Sequence, residues 1–386
     1  MLGRISIFRT IPRIVMGPGA VAGLGQEVRG LGASNCLVVT DRGVIGAGLL
    51  EPVEASLKAA KIKYQIFSEV EPDPRYETVE ACLDKLDGFK PRCVIGLGGG
   101  SPLDIAKTAA VMLANPGCIA DYCGVDLVPK PGVPSIMVPT TAGTGSEVTP
   151  IAILSDEEEK LKKGVVSPHL FPKVALLDPE LTLGLPPATT AATGMDALIH
   201  AIEAYTSVNA TDFTDMLAQR AVELISENLR TAFAQGGNLE ARAAMLEGSL
   251  LAGIAFANAG VTAVHAFAYP IGAEFHIPHR VANTLMLPAV MKFNLVGNVA
   301  KFADLAEMMG QDLTGLSDRE AAEAAVDEVM LLAHDLKVPT RLGQFGVKEE
   351  HIPALAQGAM KVTRLLANNP RVMTAQDAED IYRQVL

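Results

Sequence analysis

Through the first half of the chain, short apolar runs alternate with longer stretches whose apolar positions recur at helical spacing. The runs at 37–40, 64–67, 93–97 and 135–138 are brief and carry β-branched or aromatic residues, which reads as strand. The stretches at 50–60 and 76–86 between them read as helices. This alternation predicts a parallel sheet covered on both faces, since a parallel strand returns only through a crossover. Residues 174–177 predict one more strand, closed by the turn signal Asp178-Pro179.

The pattern changes at Leu185-Pro186-Pro187. Beyond it, stretches rich in Ala, Leu and Glu at 190–205, 212–234, 239–257 and 281–293 carry helical spacing, and β-branched runs are few. The expected organisation is an α/β domain with a parallel sheet over residues 1–185 and an all-helical domain over 186–386. A chain of 386 residues is long enough for two cores. The cleft between two such domains is the expected place for a site.

Composition narrows the function classes. Apolar residues make up 49% and charged residues 20%, which is globular rather than disordered. The net charge is −12, and the nearest thing to a basic cluster is Lys160, Lys162 and Lys163 behind the acidic run 156–159. Nucleic acid wants a concentrated basic face, so it is not expected as a partner. Five cysteines, all at or before Cys123 and none in CxxC spacing, argue for a reducing compartment. Cys36 and Cys93 sit beside expected strands and read as small buried hydrophobes. The opening MLGRISIFRTIPRIVMG has no continuous apolar stretch, and apolar runs elsewhere break before the ~18 residues of a membrane helix. The expectation is a cytoplasmic protein with small-molecule partners and no membrane contact, with room for a homodimer or larger homo-oligomer.

Two glycine-bearing segments suit a nucleotide. Gly96-Leu97-Gly98-Gly99-Gly100-Ser101-Pro102 follows an expected strand and opens a helix. Glycines let the backbone approach a phosphate, Ser101 is placed to cap the helix ahead of Pro102, and the exposed N–H groups favour an anion. The competing reading is a plain strand-to-helix turn. The second segment, Pro139-Thr140-Thr141-Ala142-Gly143-Thr144-Gly145-Ser146-Glu147, also follows a strand. Open parallel sheets bind ligands at the carboxyl ends of their strands, so two such segments strengthen the reading. Asp41, at the end of a third strand, either accepts from a ribose hydroxyl, which favours NAD over NADP, or caps a turn.

The second half holds candidate metal ligands. Asp196 and His200 are four apart on an expected helix and share a face with small and apolar residues. A carboxylate buried there is costly unless compensated, by a cation or by a simple Asp–His hydrogen bond. His265, His276 and His279 follow within an apolar segment. Carboxylate plus imidazole suits Fe(II) or Zn(II). Spacing alone leaves His276 and His279 as alternatives. His169, His334 and His351 read as lone surface or structural residues.

Taken in order, GGGSPLDIAK at 98–107, PTTAGTGSE at 139–147, ATGMDALIHAIE at 192–203, HAFAYPIG from His265 and the PH pair at 278–279 resemble the motifs of iron-containing (group III) alcohol dehydrogenases, and the resemblance covers essentially the whole chain. It implies an N-terminal nucleotide-binding domain and a C-terminal helical domain, with metal and cofactor in the interdomain cleft. It implies Asp196, His200, His265 and His279 as metal ligands. Gly98, Gly99, Gly100, Ser101 and Asp104 would serve the pyrophosphate end of the cofactor, and Thr140, Thr141 and Thr144 the nicotinamide and its ribose. Asp41 resembles the adenosine-ribose carboxylate, Lys163 a lysine near the cofactor ribose, and Phe256 part of the substrate wall. Two positions depart from the family pattern: Tyr269 stands where a histidine is common, and Arg280 where glycine is usual. A tyrosine is a poorer proton shuttle near neutrality. An arginine could pair bidentately with a substrate carboxylate.

The expected chemistry is hydride transfer between NAD and a small alcohol or aldehyde, with Fe(II), or alternatively Zn(II), as Lewis acid. A hydroxy acid held by Arg280 is the alternative substrate. Of other classes, a lyase of the dehydroquinate-synthase type would want more Lys and Arg around His265 to His279, and a non-catalytic scaffold would bind neither NAD nor metal.

Overall fold

The computed structural model describes residues 5–156 and 161–386. It divides into two compact units, Thr10–Gly184 and Leu185–Leu386, the latter joined by the leading segment Met1–Arg9, of which residues 5–9 are described.

The first unit runs β1 (Ile14–Met16), α1 (Leu24–Gly30), β2 (Asn35–Val39), α2 (Arg42–Gly46), α3 (Leu50–Ala59), β3 (Lys63–Phe67), α4 (Tyr76–Asp84), β4 (Val94–Gly98), α5 (Gly100–Met112), β5 (Gly124–Val125), β6 (Ser135–Pro139), β7 (Ile151–Asp156), β8 (Leu161–Val166) and β9 (Val174–Leu177). Six strands form one sheet in the order β1-β9-β6-β4-β2-β3, every neighbouring pair parallel. Its central strands are buried on both faces, which is why they read as continuous apolar runs. Leu37 and Val39 face one core, Cys36 and Val38 the other.

The chain order places the site. From β2 it goes to β3 on one side, then crosses to β4 on the other. Between β2 and β4 the winding reverses, and such switch points open a crevice at the strands' carboxyl ends. Asp41 after β2, Gly98 to Gly100 after β4, and Thr140 after β6 emerge there side by side.

A second sheet, β5-β8-β7, went unread in the sequence. In it β7 and β8 pair antiparallel, Leu154 opposite Lys163, and β5 joins β8 in parallel. The charged residues of β8 hid it, since Lys162 and Lys163 break the apolar alternation. Both pair locally, Lys162 with Asp73 at 2.6 Å and Lys163 with Asp156 at 2.8 Å. Lys160 and most of the acidic run before it lie outside the described residues. All five cysteines are free thiols; Cys36 and Cys93 are fully buried, and burial pushes the Cys36 thiol up to about 12.

The second unit is helical: α6 (Pro187–Thr206), α7 (Asp212–Ala234), α8 (Leu239–Ala259), α9 (Ala263–Phe275), α10 (His279–Asn294), α11 (Val299–Met308), α12 (Asp318–Asp335), α13 (Ile352–Met360), α14 (Thr363–Leu366) and α15 (Ala375–Gln384). Helix α7 starts at Thr211, whose hydroxyl accepts from Thr214 N, and α8 at Asn238, whose side chain accepts from Ala241 N. A Cβ at Gly194 would lie 2.3 Å from Leu229 Cδ1, so α6 and α7 pack this closely only because that position is glycine. Among the described residues no single helix is long and apolar enough to cross a membrane.

One boundary is corrected. Residues 5–9 group with the helices, not with the α/β unit expected over 1–185. Arg9 N donates to Asn258 Oδ1 at 2.7 Å, Asn258 Nδ2 donates back to Arg9 O at 2.9 Å, and the rings of Phe8 and Phe213 lie 5.8 Å apart. These contacts link positions 249 residues apart for the Arg9–Asn258 pair and more than 200 for Phe8 and Phe213, which local sequence pattern does not register.

A buried ion cluster fastens the two glycine-bearing loops. Lys107 on α5 is 1% exposed; its Nζ donates to Ser146 O at 3.0 Å and to Ile151 O, and lies 3.1 Å from Asp104 Oδ1. Asp104 also accepts from Ser146 Oγ at 2.5 Å and Ile153 N at 2.9 Å. Glu147 is buried beside them, and burial pushes its carboxyl up to about 7, with its own backbone N–H and Lys107 offsetting only part of that. Lys107→Met should cost about 3–5 kcal/mol in urea unfolding, because it leaves buried carboxylates uncompensated. Glu147 binds its proton more tightly folded than unfolded, so its contribution is fully present below the ordinary carboxyl value and lost as pH rises through about 7. Glu147→Gln cannot ionise and should therefore gain on the order of 2–3 kcal/mol over the wild type between about pH 5 and about pH 8. Urea midpoints at the two pH values measure this; equal differences at both would contradict it.

Candidate metal centre and nucleotide loops

Gly98 adopts φ +146°, a conformation side chains rarely take, and a Cβ there would meet Pro102 at 2.7 Å and approach Asp41 Oδ2 at 3.5 Å. A Cβ on Gly99 would touch Thr141 Oγ1 at 3.4 Å, and one on Gly100 would strike Thr144 Cγ2 at 2.9 Å. Thr140 N donates to Gly98 O at 2.9 Å. The first loop thus lies against both Asp41 and the threonine segment, with bare backbone at the mouth of helix α5. This cradle fits a pyrophosphate, since backbone N–H groups and the helix dipole both favour an anion.

Four candidate cofactor residues have these surroundings, and for Asp41 they include the cap that the sequence offered as its second reading. Helix α5 begins at Gly100 with Gly99 as its cap, so Ser101 lies inside the first turn and caps nothing. Asp41 caps α2, accepting from Val44 N at 2.8 Å, while its other oxygen lies beside Gly98. Asp104 is turned toward Lys107, Ser146 and Ile153, where it joins the two loops. Lys163 is on β8, paired with Asp156.

The metal-ligand candidates all come from the helical unit. Helix α6 carries Asp196, His200 and Glu203 at i, i+4 and i+7, one stripe along its buried face, with 2%, 7% and 1% exposure. His265 comes from the first turn of α9 and His279 is the first residue of α10. Ligand atoms of Asp196, His265 and His279 all lie within 4.8 Å of one another. His200 stands against this trio, its ring stacked 5.0 Å from that of His265 and 4.4 Å from that of Phe256. His276 is instead the exposed end of α9, at φ +54°.

The chemistry of this donor set tests whether a cation fits. Glu203 Oε2 pairs with His265 Nδ1. Glu203 Oε1 accepts from Thr262 N at 2.9 Å, Thr262 Oγ1 at 2.7 Å and Val264 N at 2.8 Å. Asn283 Nδ2 lies 3.0 Å from Asp196 Oδ1 and 3.2 Å from Nε2 of both His265 and His279. One carboxylate oxygen and two ring nitrogens thus converge on one amide nitrogen that has two hydrogens. Asn283 Oδ1 is itself buried without a partner. A carboxylate and imidazoles gathered in an apolar interior are costly unless compensated, and this nitrogen and oxygen donor set suits a divalent cation.

Electrostatics agrees. Burial pushes the Asp196 carboxyl up, but His200, His279, Arg280 and His265 more than offset it and hold it below the ordinary range. Burial also disfavours charge on His265, yet the Glu203 carboxylate raises its pKa. Arg280 Nε is 3.7 Å from Asp196 Oδ2. The Tyr269 ring lies 5.6 Å from that of His279, and burial pushes its phenol above the usual value.

Glu203 and Asn283 were not singled out in the sequence. Both had a signal: each repeats the face of a candidate ligand, Glu203 two turns after Asp196 and Asn283 one turn after His279.

Comparison with known proteins agrees with both halves. Residues 12–179 match the family model for iron-containing alcohol dehydrogenase, and residues 190–386 that for the C-terminal part of the Fe-containing alcohol dehydrogenase family. The chain is 41% identical to a sulfoacetaldehyde reductase of Bilophila wadsworthia over 94% of each chain. It is 42% identical to a long-chain-alcohol dehydrogenase of Geobacillus thermodenitrificans, over 97% of this chain and 96% of that one. The crystal structure of a 1,3-propanediol oxidoreductase superposes with a TM-score of 0.96 at 40% identity, covering 99% of this chain and all of that one. The nucleotide loops, the Asp–His cluster and these matches lead to one conclusion: the chain belongs to the iron-containing alcohol dehydrogenase family.

Proposed function

We propose that this protein is an NAD-dependent, divalent-metal-dependent alcohol dehydrogenase and aldehyde reductase acting on a small alcohol or aldehyde. The observation that carries the reading is the convergence of Asp196, His265 and His279, a carboxylate and two imidazoles whose ligand atoms lie within 4.8 Å of one another. His200, on the same stripe of α6, is proposed as the fourth ligand. A divalent cation held there, iron or alternatively zinc, would supply Lewis acidity toward an alcohol or carbonyl oxygen for hydride exchange with a nicotinamide. The residues around it do the rest. Glu203, Asn283 and the apolar face of α6 fix the ligands in place. Phe256, stacked on His200, is proposed as an apolar wall for the substrate. Tyr269 keeps its phenol proton at neutral pH and can donate a hydrogen bond.

For the cofactor, Gly98, Gly99, Gly100 and Ser101 are proposed for the pyrophosphate, and Thr140, Thr141, Thr144 and Lys163 for the nicotinamide end. Asp104 contributes by holding the two loops together. The free oxygen edge of Asp41 beside Gly98 favours a ribose hydroxyl and opposes a 2′-phosphate, hence NAD over NADP.

A second substrate reading rests on Arg280. Its guanidinium lies against a proposed metal ligand, where it could meet a substrate anion. This favours a hydroxy acid or another aldehyde bearing an anionic group, and one relative is named for sulfoacetaldehyde.

Chelation should abolish NAD-linked alcohol oxidation, and Fe(II) or Zn(II) should restore it. Asp196→Ala combined with His265→Ala should lose roughly 10³-fold or more in kcat, since a Lewis acid contributes several kcal/mol. Full-rate turnover by the stripped protein or the double variant would sink the metal mechanism. Arg280→Gly separates the substrate readings. If the substrate is anionic, kcat/KM should fall about 10-fold or more for an acidic substrate and little for its uncharged analogue, as expected for loss of one charged contact. An equal change for both would leave the neutral alcohol.

A further inference from the structure

We infer that Glu203 is a positioning residue of the metal centre: it fixes the tautomer of His265 so that Nε2 presents its lone pair to the cation. The inference rests on the reading of Asp196, His265 and His279 as ligands. Nothing in the family matches or in the proposed ligand set gives Glu203 this task.

The geometry allows little else. Glu203 is 1% exposed, and its two oxygens have separate work. Oε1 accepts three hydrogen bonds, from Thr262 N, Thr262 Oγ1 and Val264 N, which fasten the carboxylate to the chain entering α9. With Oε1 held, Oε2 is directed at His265 Nδ1. An ionised carboxylate only accepts, so Nδ1 must carry the proton. In the neutral ring Nε2 is then the lone-pair nitrogen. That atom is the one turned toward Asn283, Asp196 and His279. A carboxylate behind a ligating imidazole fixes its orientation and raises its basicity.

Glu203 also closes the amino end of α9, and a purely structural role predicts a different outcome on substitution. Glu203→Gln separates them. The amide oxygen of Gln can take over all three bonds made by Oε1. Its NH2 then stands where Oε2 was and donates to Nδ1. This moves the ring proton to Nε2 and removes the lone pair from the metal side. A cap would survive the change; the tautomer would not.

The test uses the full chain and Zn²⁺ alone as probe, titrated against a chromophoric chelator. Glu203→Gln should bind Zn²⁺ about 10–100-fold more weakly, the usual cost of losing such a partner. Its melting temperature in chelator should stay close to that of chelated wild type. Glu203→Asp, which keeps a carboxylate, should recover part of the affinity. Separately, long-range ¹⁵N–¹H correlation in metal-stripped wild type should find His265 protonated at Nδ1, a result that does not require any variant to fold. Zn²⁺ binding by Glu203→Gln as tight as wild type, or a neutral His265 ring protonated at Nε2 and not at Nδ1, overturns the inference. If wild type takes no Zn²⁺, or Asp196→Ala takes it equally well, the metal-centre reading fails instead, and the nitrogen correlation still decides the role of Glu203.

Discussion

The helical unit is organised around one electrostatic debt, that of Asp196, which shares the buried face of α6 with a second carboxylate, Glu203, already paired with His265. Asp196 sits 2% exposed on α6 among Ala, Leu and Ile, where an uncompensated charge would be prohibitive. Everything adjacent works to offset it. His200 is on the same stripe, the first turns of α9 and α10 bring His265 and His279, and Arg280 and Asn283 add a cation and an amide. Helices α9 and α10 therefore place their amino ends, where side chains can converge, against one face of α6. The tight contact of α6 with α7 at Gly194 supports it from behind.

In the α/β unit the equivalent constraint is backbone proximity. The winding reversal between β2 and β4 leaves a crevice, and there Gly98 lies against Pro102 and Gly100 against Thr144 at distances a Cβ would violate. The buried Lys107 and Asp104 hold the two loops in that arrangement from beneath. Asp104 shows how a motif residue can act on loop structure: its carboxylate organises Ser146 and Ile153.

Much of this was legible in the sequence because it is local. The central strands are apolar on both faces, and helices such as α7 carry a cap and a regular stripe, so their limits could be read nearly to the residue. Glycine loops and the Asp–x–x–x–His pair are likewise local signatures. What could not be read depends on contacts distant in sequence. Strand β8 owes its place to β7, not to its own charged residues. Residues 5–9 owe theirs to Asn258 and Phe213. Ser101 looked like a cap because serine before proline is a common helix start, but the glycine cradle shifts the start back to Gly100. Spacing alone could not separate His276 from His279. The difference lies in where α9 ends: His276 takes the left-handed, exposed terminus, and His279 begins the helix that turns back to the cluster.

Relatives at about 40% identity carry names for a sulfonated aldehyde, long-chain alcohols and a diol, so the shared fold does not select the substrate. Selection has to reside in the few side chains that border the ligand cluster without belonging to it. Tyr269 and Arg280, which border His279 and Asp196, are proposed as two of them and would contribute opposite kinds of recognition. Burial keeps the phenol of Tyr269 protonated well beyond neutrality, which makes it a fixed hydrogen-bond donor and not a base. Arg280 is a permanent cation whose present partner, Asp196, is also the carboxylate that a metal would engage. A cation on Asp196 would weaken that ion pair by repelling the guanidinium, and so leave Arg280 freer to seek an anion elsewhere. The charge of a bound metal and a preference for a charged substrate would in this way be coupled through one carboxylate.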